Sequence, residues 1–92
     1  GFFMPKDQAL RKSYYTQPCV ACGRTPSDPA HLRTYGSSGI DHRDNIMPLC
    51  RRDHQLQHSL GWFRFTRKFP SVLDALTTRG WKLDERGKLH KI

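Results

Sequence analysis

The 92-residue chain predicts a small α+β domain in which two short strands run into a long helix, further helices flank them, and a bound metal staples the assembly. Three observations carry this reading. Strand-like runs at Ala30–Arg33 and Asn45–Leu49 come before a helical pattern that starts near Cys50, the second run leading straight into it. The three cysteines, at 19, 22 and 50, are an odd number with knuckle spacing, which suits a metal better than a closed disulfide framework. Only 36% of the residues are apolar, and a chain this short and polar needs a staple to hold its core.

In chain order, Pro5 to Tyr15 reads as a short helix, with Pro5 near its start, Asp7 in its first turn, Leu10 and Tyr14 four apart, and Gln17-Pro18 ending it. Cys19-Val20-Ala21-Cys22-Gly23 is a tight turn in which Gly23 supplies the freedom for positive φ. Residues 25–29 read as a loop, Ala30–Arg33 as the first strand, Tyr35–Gly39 as a flexible loop, and Asn45–Leu49 as a second strand in which Pro48 marks an edge or an end. The helix from Cys50 to about Lys68 places Leu56, Leu60 and Phe63 at i, i+4, i+7, the spacing of a buried face. Gly61 weakens that helix by about 1 kcal/mol relative to Ala and marks where it bends or breaks. Ser71–Thr78 is a further helix stopped by Gly80, and residues 81–83, 84–87 and 88–90 read as strand, turn, strand. The expectation is a single domain over residues 1–92, with a motif core at 18–58 and a helical and hairpin extension at 59–92.

Sixteen Lys+Arg against eight Asp+Glu give a formal net charge of +8, a field that attracts polyanions and makes nucleic acid the default partner. An acidic membrane surface ranks second, because no basic amphipathic helix with a clean apolar face stands out. No apolar run approaches the roughly 20 residues of a membrane span. Gly1-Phe2-Phe3-Met4 is too short for the apolar core of a signal peptide. The expected setting is a reducing compartment, the cytoplasm. Trp62, Phe63, Phe65, Phe69 and Trp81 read as core rather than as base-stacking platforms.

Two constellations carry chemistry. Cys19-x2-Cys22 and Cys50 offer three sulfurs, and structural zinc takes four ligands. Cys50 opens a helix, so a fourth ligand belongs three or four residues on: Asp53 or His54, either of which could close the site. The second constellation is His54-x3-His58, whose imidazoles share a helix face at i, i+4 and can grip one metal ion. By itself that pair would equally be a solvated polar face. Leu56 and Leu60, however, are expected to bury the opposite side, and His31 and Asn45 precede the pair on strand-like segments.

Taken in order, Cys19-x2-Cys22, His31, Asn45, Pro48-Leu49-Cys50 and Asp53-His54-x3-His58 resemble the motif of the HNH (ββα-metal) endonucleases. The family pattern runs C-x2-C, a histidine on the first strand, an asparagine five residues before the next cysteine, and C-x2-C-H-x3-H opening the helix. Asn45 stands five residues before Cys50, as that pattern asks. The match covers about Pro18 to His58, and Gln17-Pro18-Cys19, Pro29-Ala30-His31-Leu32-Arg33 and Gln57-His58 resemble small phage and prophage HNH proteins in particular.

The resemblance implies a zinc-stapled ββα-metal fold and a DNA endonuclease, set in the cytoplasm of a bacterium or of a phage-infected host cell. It implies His31 as general base, Asn45 as a pin for the loop between the strands or an aid in placing the base, and His54 and His58 as ligands of a divalent catalytic metal (magnesium, manganese, nickel or zinc). It also implies a separate structural zinc on Cys19, Cys22 and Cys50. Two positions depart from the pattern. The zinc-binding Cys or His of the family is Asp53 here, and the frequent metal-binding His or Asp before the base is Ala30. Asp28, Asp41, Asp44, water or a substrate phosphate oxygen would then complete the catalytic shell. Arg33, Arg51 and Arg52 are expected to contact phosphates of double-stranded DNA, with Arg51 and Arg52 at a helix start where backbone N–H groups also favour anions. The alternative reading is a non-catalytic, zinc-containing nucleic-acid-binding module, which accounts for the charge and the cysteines but not for the four ordered residues His31, Asn45, His54 and His58.

Overall fold

In the computed structural model, residues 7–33 and 41–92 are described. The expectations for Pro5 and for the Tyr35–Gly39 loop lie outside them. The elements are helix α1 (Gln8–Ser13), strand β1 (Asp28–His31), strand β2 (Ile46–Leu49), helix α2 (Arg51–Lys68), helix α3 (Pro70–Thr78), and strands β3 (Trp81–Leu83) and β4 (Leu89–Lys91). The fold is α+β: β1 and β2 form one antiparallel ribbon, β3 and β4 another. Among the described residues no helix is long and apolar enough to cross a membrane.

α1 is shorter than its sequence pattern predicts. Asp7 caps it, its side chain accepting from the Leu10 amide, and helical structure ends at Ser13. β1 begins two residues earlier than expected and takes Asp28 and Pro29 out of the predicted loop. Its register pairs Asp28 with Leu49, Pro29 with Pro48, Ala30 with Met47 and His31 with Ile46. The two prolines therefore face each other in a two-stranded ribbon, where both strands are edges and missing N–H donors are tolerated. Asn45 precedes β2 in a single 3-10 turn over Arg43–Asn45.

The knuckle is tied to this ribbon and to α3. Gly23, at φ 78°, donates to the Cys19 carbonyl at 2.7 Å, the Val20 amide donates to Pro48 O at 2.9 Å, and the Ser71 hydroxyl donates to Val20 O at 2.8 Å. One apolar core joins both halves of the chain. It includes Cys19, Ala30, Leu32, Met47, Leu49 and Cys50 from the N-terminal half, and Phe65, Val72, Leu76 and Trp81 from the C-terminal half.

α2 starts at Arg51, with Cys50 as its N-cap, and it breaks at Gly61, whose φ of 77° and ψ of 165° are not helical. That break corrects one expectation. Leu56 and Leu60 pack against the core, but Phe63 is 45% exposed and Phe65 is fully buried in its place. The i, i+7 spacing assumes a continuous helix, and the left-handed step at Gly61 shifts the helical phase that follows it. Phe65 packs against Trp62 and Phe69, with ring centroids 6.1 and 5.1 Å apart.

Phe63 instead meets the β3–β4 turn. A Cβ on Gly87, where φ is +79°, would lie 2.7 Å from the Phe63 Cβ. Gly87→Ala therefore combines left-handed backbone strain with a clash against a helix, and is expected to destabilise the protein by about 1–3 kcal/mol. Thermal melting should show a drop of several degrees. An unchanged melting temperature would mean that the hairpin does not rest on Phe63 as described.

Candidate functional site

The four side chains of Cys19, Cys22, Cys50 and Asp53 converge, and their ligand atoms all lie within 4.8 Å of one another. The fold produces this from two pieces: the knuckle presents Cys19 and Cys22, and the first turn of α2 presents Cys50 at its N-cap and Asp53 one turn on. The Cys22 and Cys50 sulfurs are 3.7 Å apart, and the Cys19 thiol donates to Asp53 Oδ2 at 3.3 Å. Tetrahedral thiolates about 2.3 Å from zinc would sit about 3.8 Å apart, so the donor set fits such an ion. All three cysteines are free of disulfides. The Asp53 carboxylate is 1% exposed, and outside the thiols its charged partner is Arg52, whose Nε lies at 3.4 Å. Burial opposes its ionisation, yet the thiols and Arg52 hold its carboxyl below the usual range. Burial pushes the Cys19 thiol up to about 12. A buried carboxylate among thiols is a donor set that could hold a cation such as zinc. Of the two residues that could close the cluster, Asp53 is the one within it.

His54 follows Asp53 directly, and successive helical side chains diverge by about 100°, so His54 belongs to a different group. Its Nε2 lies 3.2 Å from the Nε2 of His58, with ring centroids 4.9 Å apart. Two nitrogens about 3 Å apart match the bite of neighbouring ligands on a metal about 2.1 Å from each. The other nitrogen of His54, Nδ1, is 3.5 Å from Asp28 Oδ2, and Arg51 Nε lies 3.3 Å from the same oxygen. Asp28 thus stands behind His54, opposite the nitrogen that faces His58, in the manner of a carboxylate that orients a metal-binding imidazole. Burial lowers the His54 pKa, Asp28 opposes this, and the nearby His58 and His31 add to the lowering. The neutral ring, the form that binds metal, is favoured.

His31 ends β1 with its Nε2 2.6 Å from Asp41 Oδ1. Asp41 is buried and also accepts from Arg11 Nε at 2.6 Å, from Arg11 Nη2 at 3.1 Å and from the Asp7 amide at 2.6 Å. Burial works against its charge, but Arg11 and His31 outweigh it and hold the carboxyl well below the usual carboxylate range. Its folded-state pKa being depressed, Asp41 contributes stability that is complete above its ordinary pKa of about 3.9 and is lost as the pH falls below that. The melting-temperature gap between wild type and Asp41→Asn should accordingly be widest near neutrality and narrow below about pH 4. A gap that is constant with pH would contradict the ion pairing.

The Asn45 carboxamide grips the chain just after His31. Its Oδ1 accepts from the Arg33 amide at 2.8 Å, and its Nδ2 donates to the Arg33 carbonyl at 3.0 Å. Arg33, Arg51 and Arg52 are exposed, with the Arg33 guanidinium 5.1 Å above the Trp81 ring. Ala30 is fully buried in the core and offers nothing to the histidines. Among the described residues, none of Asp28, Asp41 or Asp44 joins His54 and His58 in a group with ligand spacing. Sequence reasoning missed what Asp28, Asp41 and Arg11 do. It named the two aspartates as possible metal ligands, whereas each lies against one histidine nitrogen; residue spacing carries no signal of such pairing.

A family model described as "Putative HNHc nuclease" matches residues 6–85. No curated protein and no solved structure gives a significant match.

Proposed function

Since this chain belongs to the HNHc nuclease family, we propose that it is a metal-dependent endonuclease that hydrolyses phosphodiester bonds of double-stranded DNA. The observation that carries this reading is the His54–His58 pair, with Nε2 atoms 3.2 Å apart on α2, the helix that packs against β1, the strand that His31 ends. His31 takes the proton of the attacking water, work that is typically worth on the order of 10²–10⁴ in rate. Asn45 pins the backbone beyond His31 so that the base stays in place. His54, backed by Asp28, and His58 hold a divalent cation (magnesium, manganese, nickel or zinc). Bound there, it supplies Lewis-acid stabilisation of the charge that develops on the phosphate and the departing 3′-oxygen. Cys19, Cys22, Cys50 and Asp53 hold a structural zinc.

Binding falls to the exposed cations, among them Arg33, Arg51 and Arg52, which hold phosphates without reading sequence. Supercoiled plasmid incubated with the folded protein should be cut in the presence of one or more of those four metals and left intact without them. Binding should weaken steeply with salt as phosphate contacts release counterions. A folded protein that binds DNA but cuts it in none of the metals would leave the non-catalytic binding module as the function.

A further inference from the structure

We propose that Asp41, clamped by Arg11, is the positioning residue that sets the tautomer and ring plane of His31, placing the proton on Nε2 and the lone pair on Nδ1. This deepens the nuclease reading and rests on it for the catalytic part.

An ionised Asp only accepts hydrogen bonds. Oδ1 of Asp41 lies 2.6 Å from His31 Nε2, so that nitrogen must carry hydrogen whenever the ring is neutral. The basic nitrogen is then Nδ1. Asp41 is itself held from the other side. Oδ2 accepts from Arg11 Nε and from the Asp7 amide, and Arg11 Nη2 reaches Oδ1. Arg11 lies on α1 and Asp7 caps it, so a helix outside the two strands and α2 braces the base through one buried carboxylate. The arrangement parallels the use of a buried aspartate to hold a catalytic imidazole in one tautomer, where amide substitution reverses the proton's position and lowers kcat by about 10⁴.

Asp41→Asn discriminates this role from mere anchoring of α1. Two donors, Arg11 Nε and the Asp7 N–H, converge at the Oδ2 position. The amide oxygen of Asn belongs there. The NH2 group then faces His31 Nε2 and can only donate to it, which drives the ring proton to Nδ1 and blocks the basic nitrogen.

The test is nitrogen-15 NMR of the imidazoles in the zinc-loaded protein, together with plasmid-cutting kinetics in the most active metal. Wild type should show His31 with hydrogen on Nε2 in its neutral form, and Asp41→Asn should move it to Nδ1. In the same variant kcat should fall on the order of 10²–10⁴-fold, with KM within about threefold of wild type. A neutral His31 with hydrogen on Nδ1 in wild type overturns the proposal, and that spectrum decides even where Asp41→Asn fails to fold. A folded Asp41→Asn that keeps wild-type kcat and loses only melting temperature also overturns it, because that is the signature of anchoring alone. Wild type that cuts DNA in none of the four metals removes the nuclease reading instead, and the spectra still decide whether Asp41 sets the tautomer.

Discussion

His31→Ala is expected to leave a folded protein that binds DNA and metal but no longer cuts. The ring is a partner of Asp41, yet its loss does not strand that buried carboxylate, which still accepts from Arg11 and from the Asp7 amide. The ribbon contacts of β1 are backbone pairings that an alanine preserves. The nitrogens assigned to the catalytic cation belong to His54 and His58 on α2. The loss therefore falls on the chemical step: kcat should drop on the order of 10²–10⁴-fold or below detection, with KM little changed. Initial rates of plasmid nicking, metal titration and gel shift on the same preparation separate the three quantities. His58→Ala should behave differently, weakening metal binding so that part of its activity returns at high metal concentration. Wild-type cutting by His31→Ala in every metal would refute the assigned base.

Stripping the metal from the cysteine cluster, or replacing Cys50 with Ser, is expected to abolish cooperative folding. Metal affinity in zinc-finger peptides is worth about 10–16 kcal/mol, as much as the 5–15 kcal/mol that separates a folded domain from its unfolded chain. Here the cluster joins the knuckle to α2, and the knuckle in turn holds β2 through Val20 and Pro48 and α3 through Ser71 and Val20. Without a cation the 1%-exposed Asp53 carboxylate sits among thiols with the exposed Arg52 as its charged partner. Protein purified without added zinc should carry one zinc per chain at the cluster, and a strong chelator should erase its thermal transition. A metal-free protein with an unaltered melting curve would show the staple to be dispensable.

Much of the local structure was legible from short-range chemistry. Two cysteines with two residues between them, just before a glycine, make a knuckle because the backbone turn is local, and Gly23 does adopt positive φ. A glycine within a helical pattern marks a weak point for the same reason, and α2 does break at Gly61. Charge, knuckle and histidine spacing were enough to point to the HNH family, which the match over residues 6–85 bears out. Asp53 was one of two candidates for the fourth position of the cysteine cluster because i+3 and i+4 both face an N-cap residue. Only the packed helix start separated them, turning Asp53 toward the sulfurs and His54 toward His58.

What the sequence by itself determined is therefore the set of elements and the chemical types in play, since propensity, turn residues and helical spacing act over a few residues. The tertiary structure decided which partners those types met. Phe65 rather than Phe63 entered the core because the phase of a helix beyond a left-handed residue depends on where the chain lands. Asp41 closed on His31 from ten residues away and on Arg11 from thirty, and Asp28 reached His54 across twenty-six. Such pairings follow from strand register and from helix α1 folding back onto the ribbon. No periodicity in the chain encodes them, because the contact is made in space by groups whose separation along the backbone is arbitrary.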